Sequence, residues 1–291
     1  MVTAPDSSDD DDLRAILDWL HVNVFDARVP REIQRANLAA ALSALEPGEG
    51  IARDDVVLGG VPCGRLTPRD VVPGRAIVYA HGGGYCIGSP AMGHALGSAL
   101  ATALRAPWYG VDYRLAPEHP APAALDDVGA VLAAMGDHEV VVVGDSSGAG
   151  ALVAAMVRGA PAVRAAALLS PWLDLAAPLD ESAPEPLLSV GWLRACASDY
   201  AGADLANPQV SPIDAPWASL PPTLLVGGGV DLVAGDARRV AAKGVDNVTV
   251  REFAGLGHDF ALAAGASAAA DQAARLMAEH LGRHAAWLVR A

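Results

Sequence analysis

Four consecutive valines, Val140 to Val143, run straight into Gly144-Asp145-Ser146-Ser147-Gly148 and on into Ala149-Gly150. An apolar strand that enters G-x-S-x-G and leaves as a helix of small residues predicts a sharp strand-to-helix turn. Its crowded backbone needs Gly144 and Gly148, and it lifts the Ser146 side chain above the edge of a sheet. At that point the free N–H groups of the helix amino terminus face any oxyanion that develops. A plain Gly-Ser loop would carry the same five letters, and the valine strand before it weighs against that reading.

The rest of the chain repeats the strand-then-helix theme. Short apolar runs at Val56 to Leu58, Gly64 to Thr67, Ala76 to Ala80, Pro107 to Val111, Glu139 to Gly144, Ala165 to Ser170, Thr223 to Gly227 and Val248 to Phe253 read as strands, the first two as a hairpin. Segments of helical period lie between them at His94 to Arg105, Ala123 to Met135, Ser147 to Arg158, Gly235 to Lys243 and Ala268 to His284. Strands joined by crossover helices form a mainly parallel, doubly wound α/β sheet with helices on both faces.

Two regions stand outside the alternation. Leu13 to Phe25 and Glu32 to Leu45 read as amphipathic helices ahead of the first strand. Leu175 to Pro222 is a long interruption with eight prolines and one helix near Gly191 to Tyr200. A connection of that length inside a compact domain marks a lid or binding element. The expected division is a disordered acidic tail over 1–12, cap helices over 13–50, and a catalytic domain over 51–291 with a cap insertion at about 175–222.

Charge removes whole classes of partner. With 20 Lys plus Arg against 34 Asp plus Glu the net charge is −14, and Lys243 is the sole lysine, so no basic tract is available for nucleic acid or an anionic lipid surface. No run approaches the ~18 apolar residues of a membrane span. The amino terminus, with Asp6 and Asp9 to Asp12, lacks the pattern of a secretory signal. Cys63, Cys86 and Cys196 are odd in number and widely spaced, which supports neither a disulfide framework nor a zinc site. The expectation is a cytoplasmic protein with no metal or organic cofactor.

A serine hydroxyl needs a base, and the base needs an orienting acid. Of the eight histidines, His258 lies in Gly255-Leu256-Gly257-His258-Asp259-Phe260, a loop after the last strand; His94, His119, His138, His280 and His284 lie on or near helices. Asp231 follows the strand Thr223 to Gly227, with Asp236 as the rival acid a little further on. Upstream, His81-Gly82-Gly83-Gly84-Tyr85 follows the strand Ala76 to Ala80. Such a loop leaves the N–H groups of Gly82 and Gly83 unshielded beside that of Ser147, three donors for an oxyanion. The order Ser146, Asp231, His258 is that of α/β-hydrolases.

Together the segments His81 to Ser89, Tyr113-Arg114-Leu115-Ala116-Pro117-Glu118-His119-Pro120, Gly144 to Gly148, Asp231-Leu232 and Gly257 to Phe260 resemble the hormone-sensitive lipase-like esterases of the α/β-hydrolase fold. The resemblance covers about Ala76 to the carboxyl terminus. It implies Ser146 as nucleophile, His258 as general base and acid, Asp231 as orienting carboxylate, and Gly82, Gly83 and Ser147 as oxyanion donors. It also implies that His81 braces the glycine loop, that the amino-terminal helices and part of Leu175 to Pro222 form a small helical cap, and that the substrate is a small-molecule ester with a short acyl group. The acid departs from the family's usual Asp-Pro-Leu, which keeps Asp236 in contention. Asp145 and Glu118 are candidates either for tuning the site or for loop structure. Among aromatic residues, Trp172 and Trp217 are read as nearer the entrance than Trp19, Phe25, Trp192 and Tyr200. Two other readings remain: a deacetylase, acyltransferase or cyclase of natural-product biosynthesis, and a non-catalytic small-molecule binder on the same fold, as in the plant gibberellin receptor. A homodimer stays open.

Overall fold

The computed structural model describes residues 7–43, 45–160, 163–179, 181–287 and 289. Its centre is an eight-stranded sheet. In chain order the strands are β1 (Ile51–Leu58), β2 (Val61–Pro68), β3 (Arg75–Ala80), β4 (Trp108–Val111), β5 (Glu139–Asp145), β6 (Val163–Leu169), β7 (Thr223–Gly228) and β8 (Val248–Phe253). Side by side they run β1-β2-β4-β3-β5-β6-β7-β8. The hairpin β1–β2 and the pair β2–β4 are antiparallel, and every pair from β4 to β8 is parallel.

The valine run explains why β5 sits in the middle. Val140 and Val142 point into one apolar core, Val141 and Val143 into the other, so neither face of the strand tolerates a polar side chain. Strand β3 divides in the same way, with Ala76, Val78 and Ala80 on one side and Ile77 and Tyr79 on the other. Helices α3 (His94–Leu104) and α8 (Ala268–His284) cover one face through residues such as Leu100 and Met277. Helices α4 (Ala123–Ala134), α5 (Ser146–Val157) and α7 (Ala234–Ala241) cover the other. The order reverses between β3 and β4, so the loops after β3 and β5 rise side by side at the carboxyl edge.

Helices α1 (Ser7–Asn23), α2 (Arg31–Leu42) and α6 (Val190–Ala201) form a cap over that edge. Helix α1 begins at Ser7, inside the stretch read from sequence as an acidic tail; residues 1–6 lie outside the described residues. The cap helices join through buried polar contacts. Gln34 is fully buried, accepts the Trp192 Nε1–H at 3.0 Å, and donates to the carbonyls of Asp26 and Val29 at 2.8 and 2.7 Å. The Ser189 hydroxyl caps α6 by accepting the Trp192 N–H and donates to the Phe25 carbonyl at 2.8 Å. Phe25 meets the Trp192 ring edge-on at 5.0 Å.

Candidate active site

The elbow forms as the sequence predicts. Ser146 begins α5 at φ 50°, a left-handed backbone that an L-residue adopts only under constraint. The constraint is proximity: a Cβ on Gly148 would stand 2.1 Å from the Ala80 carbonyl oxygen, so only glycine lets α5 close against the end of β3. The Ser146 carbonyl accepts the Trp172 N–H at 3.1 Å, which fixes the turn from its other side.

The loop after β3 is braced in three places. His81 is fully buried, stacks on Tyr113 at 4.2 Å, and its Nδ1 lies 2.7 Å from the Gly82 carbonyl, while the Tyr113 hydroxyl donates to the His81 carbonyl at 2.7 Å. Burial lowers the His81 pKa to about 4, so the ring is neutral. The Tyr85 N–H donates to the Ser147 hydroxyl at 3.2 Å and ties the loop to the elbow. Arg35 of α2 reaches down to the carbonyls of Cys86 and Ala116 at 2.8 and 2.7 Å.

Of the three expected oxyanion donors, the structure treats one differently. The Gly82 N–H donates to Asp145 Oδ2 at 2.8 Å, so it is committed to a carboxyl group rather than open to substrate. The N–H groups of Gly83 and Ser147 have no acceptor among the described residues, and Gly83 lines the same cavity as Ser146 and His258. Gly83 holds φ 103°, and a Cβ there would lie 2.2 Å from the Ile87 carbonyl oxygen.

Strands β7 and β8 deliver the acid and the histidine. Asp231 Oδ1 is 2.9 Å from His258 Nδ1 and also accepts the Val233 N–H at 2.9 Å. The rival Asp236 is buried elsewhere: it accepts the N–H groups of Leu173 and Asp174 at 2.6 and 2.9 Å and pairs with Arg239 at 2.6 Å, anchoring α7 to the chain after β6. Burial by itself would lower the His258 pKa, but the nearby Asp231 and Asp259 carboxyls overcome that and raise it well above the usual imidazole value.

Two acids beside His258 had no assigned role in the sequence. Glu185, from the proline-rich interruption, accepts the His258 backbone N–H at 3.0 Å and so joins the cap segment to the histidine loop. Asp259 Oδ2 lies 3.1 Å from His258 Nε2. Glu118, by contrast, is an exposed partner of Arg35 at 2.7 Å and serves the loop.

Ser146, His258 and Gly83 open into a cavity of about 1190 Å³ walled by apolar residues of α1 and α2, among them Leu17, Leu20 and Leu38. Phe25 and Trp192 line it too. Trp172 and Trp217, read from sequence as nearer the entrance, are buried, and neither is among the lining residues. Tyr200 stacks face to face on Tyr85 at 3.7 Å.

A buried Asp–His pair whose histidine shares a cavity with a strained serine at a strand-to-helix elbow is the arrangement of a serine hydrolase. The profile of a family described by the α/β-hydrolase fold matches residues 77–262. An esterase structure from the bacterial hormone-sensitive lipase family superposes with a TM-score of 0.87 at 27% identity, covering 97% of this chain and 100% of that one. Among curated relatives, an acetyl-hydrolase of Streptomyces hygroscopicus is 37% identical over 64% of this chain and 68% of its own length. Esterase LipI of Mycobacterium tuberculosis is 33% identical over 70% and 71%. The chain belongs to the α/β-hydrolase family, within its hormone-sensitive lipase-like group.

Proposed function

We propose that this carboxylic ester hydrolase cleaves short-acyl esters through an acyl-Ser146 intermediate, with His258 as general base and acid and Asp231 as its orienting carboxylate. The observation that carries the reading is the 2.9 Å contact between His258 Nδ1 and Asp231 Oδ1 in a loop that shares one cavity with Ser146. His258 takes the Ser146 proton as the hydroxyl attacks the ester carbonyl, and returns it to the leaving alcohol. It then activates water against the acyl-enzyme. The open N–H groups of Gly83 and Ser147 receive the oxyanion. Each such donor is worth about 3 kcal/mol in the transition state. Gly82 donates to the carbonyl carbon's oxyanion only if Asp145 releases it, so its support is through the loop.

A neutral His81 braces that loop and transfers no proton. The acetyl-hydrolase relative favours a small acyl group. The cavity has room beyond such a group, and its apolar walls suit an apolar alcohol portion. We assign 13–50 and about 175–222 to the cap and 51–291 otherwise to the catalytic unit. No helix among the described residues is long and apolar enough to cross a membrane. Three buried unpaired cysteines suit a reducing compartment, which favours the cytoplasm. A homodimer is compatible with this reading.

The test is a nitrophenyl ester series from acetyl to decanoyl with Ser146→Ala as control. Rapid turnover that peaks at or below hexanoyl and vanishes in the variant is the expected result. Binding without turnover would favour the receptor-like reading. Product formation only with an added acyl acceptor would favour a transferase.

A further inference from the structure

The ring nitrogen that His258 must offer to Ser146 already has a partner. Nδ1 is held by Asp231, and Nε2 lies 3.1 Å from Asp259 Oδ2, while no hydrogen bond joins Ser146 to His258 among the described residues. Asp259 is itself tightly placed. It holds φ 53°, its N–H donates to the Ser170 hydroxyl at 3.0 Å, and its side chain is buried. Behind it stands Asp145, whose Oδ2 accepts the Gly82 N–H. The remaining oxygens, Asp145 Oδ1 and Asp259 Oδ1, are both buried without a hydrogen-bond partner among the described residues although the two carboxyl groups are neighbours, and the Tyr79 hydroxyl, buried close to Asp145, is itself unpaired.

Two buried carboxylates facing one another are costly, and one proton between them removes the cost. We propose that Asp259 is a positioning residue for the catalytic base: it holds the His258 ring by Nε2 between turnovers, backed by one proton shared with Asp145. This chain of contacts links the Gly82 loop to the base, and Asp259 must yield Nε2 to the Ser146 hydroxyl before acyl transfer. The inference rests on His258 being the base.

The surrounding charges agree. Burial raises Asp145 well above the usual carboxylate range and the neighbouring Asp259 adds to this, against the opposing influence of the Tyr79 hydroxyl and the Gly82 N–H, which agrees with a proton held between the two carboxyl groups. The titratable groups set against the histidine are acidic: Asp231 from the loop after β7, Glu185 from the cap segment on the backbone N–H, and Asp259 from its own loop, with Asp145 and the Tyr79 hydroxyl at the ends of β5 and β3 behind Asp259. An anion on Nε2 stabilises the imidazolium, which is the form that cannot accept the serine proton. Removing it therefore lowers the pH at which the base becomes available.

The experiment is the pH profile of kcat/KM on a short nitrophenyl ester for the wild type and Asp259→Asn. Asparagine tolerates the left-handed backbone at this position. The acid limb of the wild type is expected above the usual imidazole value, and that of Asp259→Asn about one pH unit lower or more. One unit corresponds to about tenfold more of the plateau kcat/KM retained at a pH well below both limbs. An acid limb that stays in place, or rises, overturns the proposal. If Asp259→Asn fails to fold, Asp259→Gly, which also suits a positive φ, is measured in its place and decides by the same criterion. His258→Ala separates the two levels: full turnover in that variant removes the base assignment itself, whereas an inactive His258→Ala with an unmoved limb in Asp259→Asn removes only the role of Asp259.

Discussion

At the carboxyl edge of the sheet, Ser146, Asp231 and His258 each sit close after the strand that delivers them, and the backbone of the turn does most of the placing. In the cap, order comes from side chains far apart in sequence: Trp192 donates to Gln34, Arg31 pairs with Asp199 at 2.9 Å, and Ser189 donates to Phe25. The difference separates chemistry from selection. Substitutions at the edge should abolish turnover with little change in stability, and substitutions in the cap should alter stability and substrate range with the chemistry intact.

The sharpest way to break this comparison is at the edge. Ser146→Ala deletes one hydroxyl on a backbone fixed by Gly148 and Trp172, so the fold should survive while kcat falls by as much as about a millionfold, the scale seen when a serine protease loses its nucleophile. A phosphonate reagent should label the wild type once and leave the variant unlabelled. Persistent labelling would move the nucleophile elsewhere.

Next comes the acid. Asp231→Asn leaves His258 in the wrong tautomer and removes the charge that stabilises its imidazolium, a change that costs ~10⁴ in turnover in a serine protease triad. Asp236→Asn is the matched control. It weakens a buried acceptor of two backbone N–H groups and its pairing with Arg239, so it should cost stability on the order of 1–3 kcal/mol in urea unfolding while the folded enzyme keeps its turnover. The reverse ranking of turnover would exchange their roles.

The edge was legible in sequence because its constraints are local. A glycine at a position where any Cβ would stand 2.1 Å from a carbonyl oxygen, or a valine run that must face two cores, leaves its mark within a few letters. Element positions followed the same logic, down to α8 at Ala268–His284. The cap contacts were not legible, since nothing near Gln34 announces Trp192. Glu185 was invisible for the same reason: it sits in a proline-rich connection and meets His258 only through the fold. The pull of Asp145 on the Gly82 N–H was hidden too, because motif letters say which backbone groups are unshielded and not which carboxyl group stands opposite.

In the cap, Gln34→Ala should be the most damaging single change. It leaves the Trp192 Nε1–H and the carbonyls of Asp26 and Val29 without their partner, all near a buried side chain. The expected loss is about 2 kcal/mol or more by denaturant unfolding, because each buried group left unpaired costs about 1–3 kcal/mol. The acyl-chain profile should broaden or shift, since Trp192 and Phe25 line the cavity, while the phosphonate still labels Ser146. A stable variant with an unchanged profile would mean that the cap is held by apolar packing alone.

The smallest effect is expected where cap and edge meet at the surface. Arg35 of α2 has two kinds of partner: the carbonyls of Cys86 and Ala116 beneath it, and the Glu118 carboxylate beside it. Glu118 is 56% exposed, so water and salt screen its pairing, and exposed pairs of this kind contribute about 0–1 kcal/mol. Glu118→Gln keeps one acceptor for Arg35 and leaves both carbonyl contacts untouched. Stability should fall by less than about 1 kcal/mol, and kcat/KM should stay within about twofold of wild type. Arg35→Met removes the donors to the two loop carbonyls as well, so it should cost more than Glu118→Gln in unfolding and lower kcat by loosening the loop that carries Gly83. Equal effects from the two substitutions would show that the surface ion pair, and not the carbonyl contacts, joins the cap to the catalytic edge.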